Sequence, residues 1–235
     1  MRRALTASLA LAVTATLMTA GFAAAEPNTC IAGKLACTTA YTSAVFKCYA
    51  KVFKSGFGGQ NLSKAEDCVR KARSTFGTAL SSAIQCWDKV EAKEKVEKPA
   101  TVCPANIFDE FAVDDMVKAF TIDAVSNEVA SQGPKALGNT CHAGKVKCLG
   151  TFFSQLFKCE IKAHKAGVPA DEACIAKAVA RFDGGAHPAK GCFAKIEAKQ
   201  KPGKGTTLCD ETGNTTVAGG KVEEFVAFVV VGLEP

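Results

Sequence analysis

Twelve cysteines fall in two sets of six, and this spacing constrains the chain more than any other feature. They stand at 30, 37, 48, 68, 86 and 103, then at 141, 148, 159, 174, 192 and 209. The first three of each set are 111 residues apart and the last three are 106 apart. The chain therefore repeats itself, with five residues missing between the third and fourth cysteine of the second copy. Residues between the cysteines recur in the same register. Asn28-Thr29-Cys30 returns as Asn139-Thr140-Cys141, Ala32-Gly33-Lys34 as Ala143-Gly144-Lys145, and Phe46-Lys47-Cys48 as Phe157-Lys158-Cys159. Lys71-Ala72 and Phe76 return as Lys177-Ala178 and Phe182, and Glu91-Ala92-Lys93 as Glu197-Ala198-Lys199. An internal repeat of this kind sets the domain boundary before any element is assigned. The expected organisation is a first six-cysteine repeat over 26–132, a linker over 133–138 containing the turn-forming Gly133-Pro134, and a second repeat over 139–235.

Residues 1–25 read as a secretory signal peptide. Arg2 and Arg3 precede an uncharged run from Ala4 to Met18, and Ala23-Ala24-Ala25 forms a small-residue cleavage site before Glu26. The apolar run is too short for a comfortable membrane span, so no transmembrane segment is expected in the mature chain. An even cysteine count in an exported chain implies a disulfide framework, and the expected location is secreted or periplasmic. Without Arg2 and Arg3, 27 of the 29 basic residues remain against 23 acidic ones, a mild net charge of +4. That is far from the concentrated basic surface of a nucleic-acid-binding domain.

Each repeat is expected to be helical: all-α, a helical hairpin followed by a third helix, stapled by disulfides. Cys37, Tyr41, Ala44, Val45, Cys48 and Val52 fall at helical spacing, with Gly56 and Gly167 placed as C′ glycines. A second helix is expected to open at the capping box Ser63-Lys64-Ala65-Glu66, or at Pro169 in the second copy, and to be stopped by Pro99. Gly184, Gly185, Pro188 and Gly191 predict a break inside its second-copy counterpart. A third helix carries Phe108, Phe111, Met116, Val117 and Phe120, matched by Val222, Phe225, Val226 and Val229.

Helix geometry also predicts a pairing of the cysteines. Cys30, Cys37 and Cys48 share a face, because spacings of 7 and 11 are close to whole turns. Cys68 and Cys86, 18 apart, share a face in the same way. Folding two straight antiparallel helices together levels Cys48 with Cys68 and Cys30 with Cys86, leaving Cys37 for Cys103. The second copy gives Cys159–Cys174, Cys141–Cys192 and Cys148–Cys209. The competing scheme, Cys37–Cys86 with Cys30–Cys103, requires an axial slip of seven residues, about 10 Å. A disulfide spans a Cα separation of only about 4.4–6.8 Å.

Motifs that carry chemistry are weak. Cys141-His142 lacks the preceding cysteine of a haem-attachment site, and no Cys-x-x-Cys pair is present for redox or zinc chemistry. No catalytic residue, cofactor or metal ligand is expected, and the protein is read as not an enzyme. His142, His164 and His187 are expected at surface or cap positions. The acidic pairs Asp109-Glu110, Asp114-Asp115 and Glu223-Glu224 are expected near the start of the third helix, where they suit its dipole. Asn61-Leu62-Ser63 and Asn214-Thr215-Thr216 match the glycosylation pattern, but the Ala-rich leader reads as bacterial.

The best-placed polar feature is a lysine row. Lys47, Lys51 and Lys54 recur as Lys158, Lys162 and Lys165. Two equivalent basic strips suit an anionic polymer of the cell envelope. The expected function is that of an exported, non-enzymatic binding or structural protein made of two disulfide-rich helical modules; the alternative is a carrier of lipid or another small apolar ligand, with the fifteen phenylalanines enclosing a cavity.

The Phe-Lys-Cys, Cys-x-x-Lys-Ala, Glu-Ala-Lys and Val-Glu-Glu-Phe-Val stretches resemble the secreted, Lys/Ala-rich cysteine-repeat proteins of proteobacterial and myxobacterial genomes. The resemblance implies export and a helical, disulfide-rich fold. It supplies no catalytic residues and no assigned activity. Saposins also carry six cysteines per helical unit, but they begin with a Cys-x-x-Cys that is missing here.

Overall fold

The structure is a computed structural model. It describes residues 27–56, 59–76, 86–94, 98, 102–103, 110–128, 138–201, 204, 208–209 and 212–233. The expected signal peptide, most of the linker, Phe108 and Asp109 lie outside these residues. The described residues are all-helical. The α-helices are α1 (Thr29–Ser55), α2 (Gly59–Phe76), α3 (Cys86–Glu91), α4 (Glu110–Glu128), α5 (Thr140–Ala166), α6 (Glu172–Asp183), α7 (Cys192–Glu197) and α8 (Thr215–Leu233). A 3₁₀ turn covers Pro188–Lys190.

Two 27-residue helices, α1 and α5, form the centre. Asn28 and Asn139 cap them by accepting the amides of Ile31 and His142. The expected glycines end them: Gly56 and Gly167 have φ of 88° and 65°. The two helices run antiparallel in close contact. Asn28 N–H donates to His164 O at 2.8 Å, and Asn139 N–H donates to Phe53 O at 2.6 Å. These two bonds are exchanged by the 111-residue offset. Midway between them the Ser43 and Ser154 hydroxyls, themselves repeat partners, lie 2.6 Å apart. An approximate twofold axis therefore passes between these serines. The approach is close at Gly150, where a Cβ would lie 2.9 Å from Phe46 Cβ.

On one side of this pair sit α4 and α8. Phe120 stacks on Phe225 with centroids 4.2 Å apart, and both meet Phe153; Phe46 packs against Phe120 and Phe153. Flanking the pair, Tyr41 stacks on Phe76 and Phe76 packs edge-on to Trp87. Their repeat counterparts Phe152, Phe182 and Phe193 make the same two contacts. Buried residues of both halves form one continuous cluster, so the halves share a core.

The disulfides correct four of the six expected pairings. Cys48–Cys68 and Cys159–Cys174 are as expected. The others are Cys37–Cys86 and Cys30–Cys103, with Cys148–Cys192 and Cys141–Cys209 in the second half. Cys30–Cys86, Cys37–Cys103, Cys141–Cys192 and Cys148–Cys209 do not form. The second helix of the second half is not straight. In the second half α6 ends at Asp183, and the chain turns through Gly184 at φ 96°. It then doubles back until a Cβ on Gly191 would lie 2.5 Å from Asp183 O. That detour takes up about seven residues of axial advance, the very slip a straight helix could not supply. The 18 residues from Cys174 to Cys192 thus match the 11 from Cys148 to Cys159. In the first half α2 likewise ends at Phe76, before α3 opens at Cys86. Two helix starts also differ from expectation. Helix α2 begins at Gly59, so Ser63 lies inside it, and α6 is capped by Asp171 rather than opened by Pro169.

Nested bridges of this kind should survive direct mapping. Digestion of the oxidised protein without reduction is expected to yield Cys37 linked to Cys86 and Cys148 linked to Cys192. Recovery of Cys30 linked to Cys86 would restore the straight-helix scheme.

Candidate functional site

The lysine rows lie on the two central helices. Helix α1 contains no Asp or Glu, and α5 contains only Glu160. The contacts of α1 fix its orientation. Phe46 and Phe53 face α5, Tyr41 faces Asp114 of α4, and Cys37 and Cys48 face α3 and α2. Lys47, Lys51 and Lys54 occupy the remaining sector, opposite α4. All three are exposed, as are Lys158, Lys162 and Lys165 on α5. The approximate twofold runs normal to the plane of an antiparallel pair, so both rows point to the same side. Glu160 is offset from Lys158 by about 200° around the helix and leaves that side.

One basic face results, with Ser43 and Ser154 at its middle. Taking these serines as level, Lys165 stands opposite Ala32, and the lysines run over about 33 Å from Lys54 to Lys165. Among the described residues none of the six is in an ion pair. Exposed Lys147 joins them, three turns before Lys158. The repeat pattern hid it, because its counterpart is Ala36. Lys89, Lys93, Lys195 and Lys199 are also exposed, on or just beyond α3 and α7. Lys93 borders an indentation of about 170 Å³ with Thr29, Cys30, Gly33 and Val90. Among the phenylalanines, Phe46, Phe120, Phe152, Phe153, Phe157, Phe182 and Phe225 pack ring against ring in the core.

Two lysines are buried instead. Lys34 Nζ pairs with Glu91 at 2.8 Å and lies 4.9 Å from the Trp87 ring centroid. Its counterpart Lys145 pairs with Glu197 at 2.6 Å and lies 4.9 Å from the Phe193 centroid. Sequence shows both as repeated Ala-Gly-Lys and Glu-Ala-Lys stretches, but not that they meet. A second polar cluster lies in the first half. Asp114, 1% exposed, accepts from Tyr41 and pairs with Arg73 at 2.6 Å and Lys118 at 2.5 Å. Burial, then the Asp114 carboxylate, pushes the Tyr41 phenol far above its usual range. Asp114 thus serves as a buried counter-ion rather than a dipole partner. In α8, burial and then Asp183 and Glu224 raise the pKa of Glu223.

Two of the three histidines depart from expectation. His187 is exposed beside the 3₁₀ turn, but His142 and His164 are buried at opposite ends of α5. His142 packs edge-on against Phe53. His164 occupies the position matching Phe53, and burial lowers its pKa below 6.5. Among the described residues no cluster of three or more His, Cys, Asp or Glu could hold a metal, and no helix is long and apolar enough to cross a membrane. No family model, curated protein or solved structure matches the chain.

His164 ties stability to pH. The unfolded chain takes up a proton near pH 6.5, while the folded one resists it. Stability is therefore full above that value and declines as pH falls below it. His164→Phe, which restores the first-half residue, is expected to flatten the fall in thermal midpoint between pH 7 and 5.5. An unchanged slope would remove His164 as its source.

Proposed function

We propose that this is an exported, non-enzymatic binding protein whose two six-cysteine repeats present one basic surface to an acidic polysaccharide of the cell envelope. The observation that carries the reading is the placement of Lys47, Lys51, Lys54, Lys158, Lys162 and Lys165. They are exposed, without ion-pair partners among the described residues, and directed to one side of a rigid helix pair. A lysine ammonium is a mobile point charge. Spread over about 33 Å, such charges suit a flexible polymer with carboxylates at intervals better than one compact ligand. The six disulfides fit an oxidising compartment and would keep this surface in shape there. They also agree with the resemblance to secreted cysteine-repeat proteins.

Retention on an immobilised polyuronate column tests the reading. The mature protein is expected to bind at low ionic strength and to elute as salt screens the lysines. A variant with all six lysines changed to Gln, and with an unchanged thermal midpoint, should flow through. Equal retention of the two would exclude this face as the binding surface.

A further inference from the structure

We propose that Lys145 and Asn214 become joined by an intramolecular isopeptide bond, with Glu197 as the proton carrier. Lys145 is 1% exposed, so its amine is shielded from water. Its Nζ lies 3.0 Å from Asn214 Oδ1 and 2.6 Å from Glu197 Oε1. The Phe193 ring, itself fully buried, closes the site 4.9 Å away. Since a C=O bond is about 1.2 Å, the amide carbon Cγ is at most about 4.2 Å from Nζ. A small rotation of the asparagine brings it to the roughly 3–3.5 Å of a near-attack contact.

Glu197 holds both reactants. Its side chain is 16% exposed, and its two oxygens accept from the Gly213 amide at 3.3 and 3.4 Å. Gly213 immediately precedes Asn214, so one carboxylate fixes the amine and the segment bearing the amide. Lys34 makes the matching ion pair and ring contact in the first half. There, among the described residues, no asparagine side chain is hydrogen-bonded to it.

The reaction balances without any added reagent. Glu197 removes a proton from the Lys145 ammonium, and the freed amine lone pair attacks Asn214 Cγ. The tetrahedral adduct loses a second Nζ proton, and its Cγ–Nδ2 bond breaks as Nδ2 accepts the transferred protons. Ammonium departs, an amide links Nζ to Cγ, and Glu197 ends as the carboxylate it began as. Each molecule reacts once with itself, so no activity toward other molecules is implied. The bond would clamp the start of α8 to α5, closing the second half independently of its disulfides.

Intact mass spectrometry and peptide mapping of the folded mature protein, reduced and alkylated, test this. The expected wild-type mass is lower than the sequence mass by one ammonia, and digestion should release a branched peptide joining Lys145 to Asn214. Lys145→Arg and Glu197→Gln should restore the ammonia while leaving the six disulfides formed. Linear peptides carrying intact Lys145 and intact Asn214 would overturn the proposal. So would an ammonia loss that maps to a succinimide at Asn214.

Discussion

The antiparallel contact of α1 with α5 is the constraint on which the rest depends. Two long helices can come this close only where side chains at the crossing are small, and here the crossing is made by Ser43, Ser154 and Gly150. Their approach orients every other face. It turns Phe46 and Phe153 toward α4 and α8, where stacked rings bury large apolar areas. It turns the cysteine stripes outward to the flanking helices. The sector that remains is occupied by lysines. The basic surface is thus a consequence of packing demands met on three other sides.

The flanking helices are held by a ladder of nested bridges, each worth about 2–4 kcal/mol in a model-dependent way. In the second half the ladder works because the second helix of the hairpin is broken at Gly184. Helices α3 and α7 place Trp87 and Phe193 against the core and Glu91 and Glu197 beside buried lysines. A buried ion pair is a weak source of net stability but leaves little freedom of register. Disulfide, ring and ion pair therefore fix the same short helix in the same place.

Much of this was legible in the chain, and the reasons for the rest are physical. Helical periodicity and the C′ glycines depend on neighbours in sequence, and they appear where expected. The break at Gly184–Gly191 was legible too, and it makes the 18 residues from Cys174 to Cys192 advance less than five straight turns. Contacts between the halves had no local signature. His164 looks like any polar residue near a helix end until Asn28 of the other half is packed against its backbone. Lys34 and Lys145 look like surface lysines until residues more than 50 positions away cover them. Lys147 escaped because a repeat highlights what recurs.

The central claim is that the two halves meet about an axis at Ser43 and Ser154, which puts both lysine rows on one surface. A double variant, Ser43→Cys with Ser154→Cys, measures that meeting directly. The account predicts a seventh disulfide joining positions 43 and 154, with the six native bridges retained on a non-reduced map. Two free thiols at these positions in a folded protein with its native bridges would contradict it.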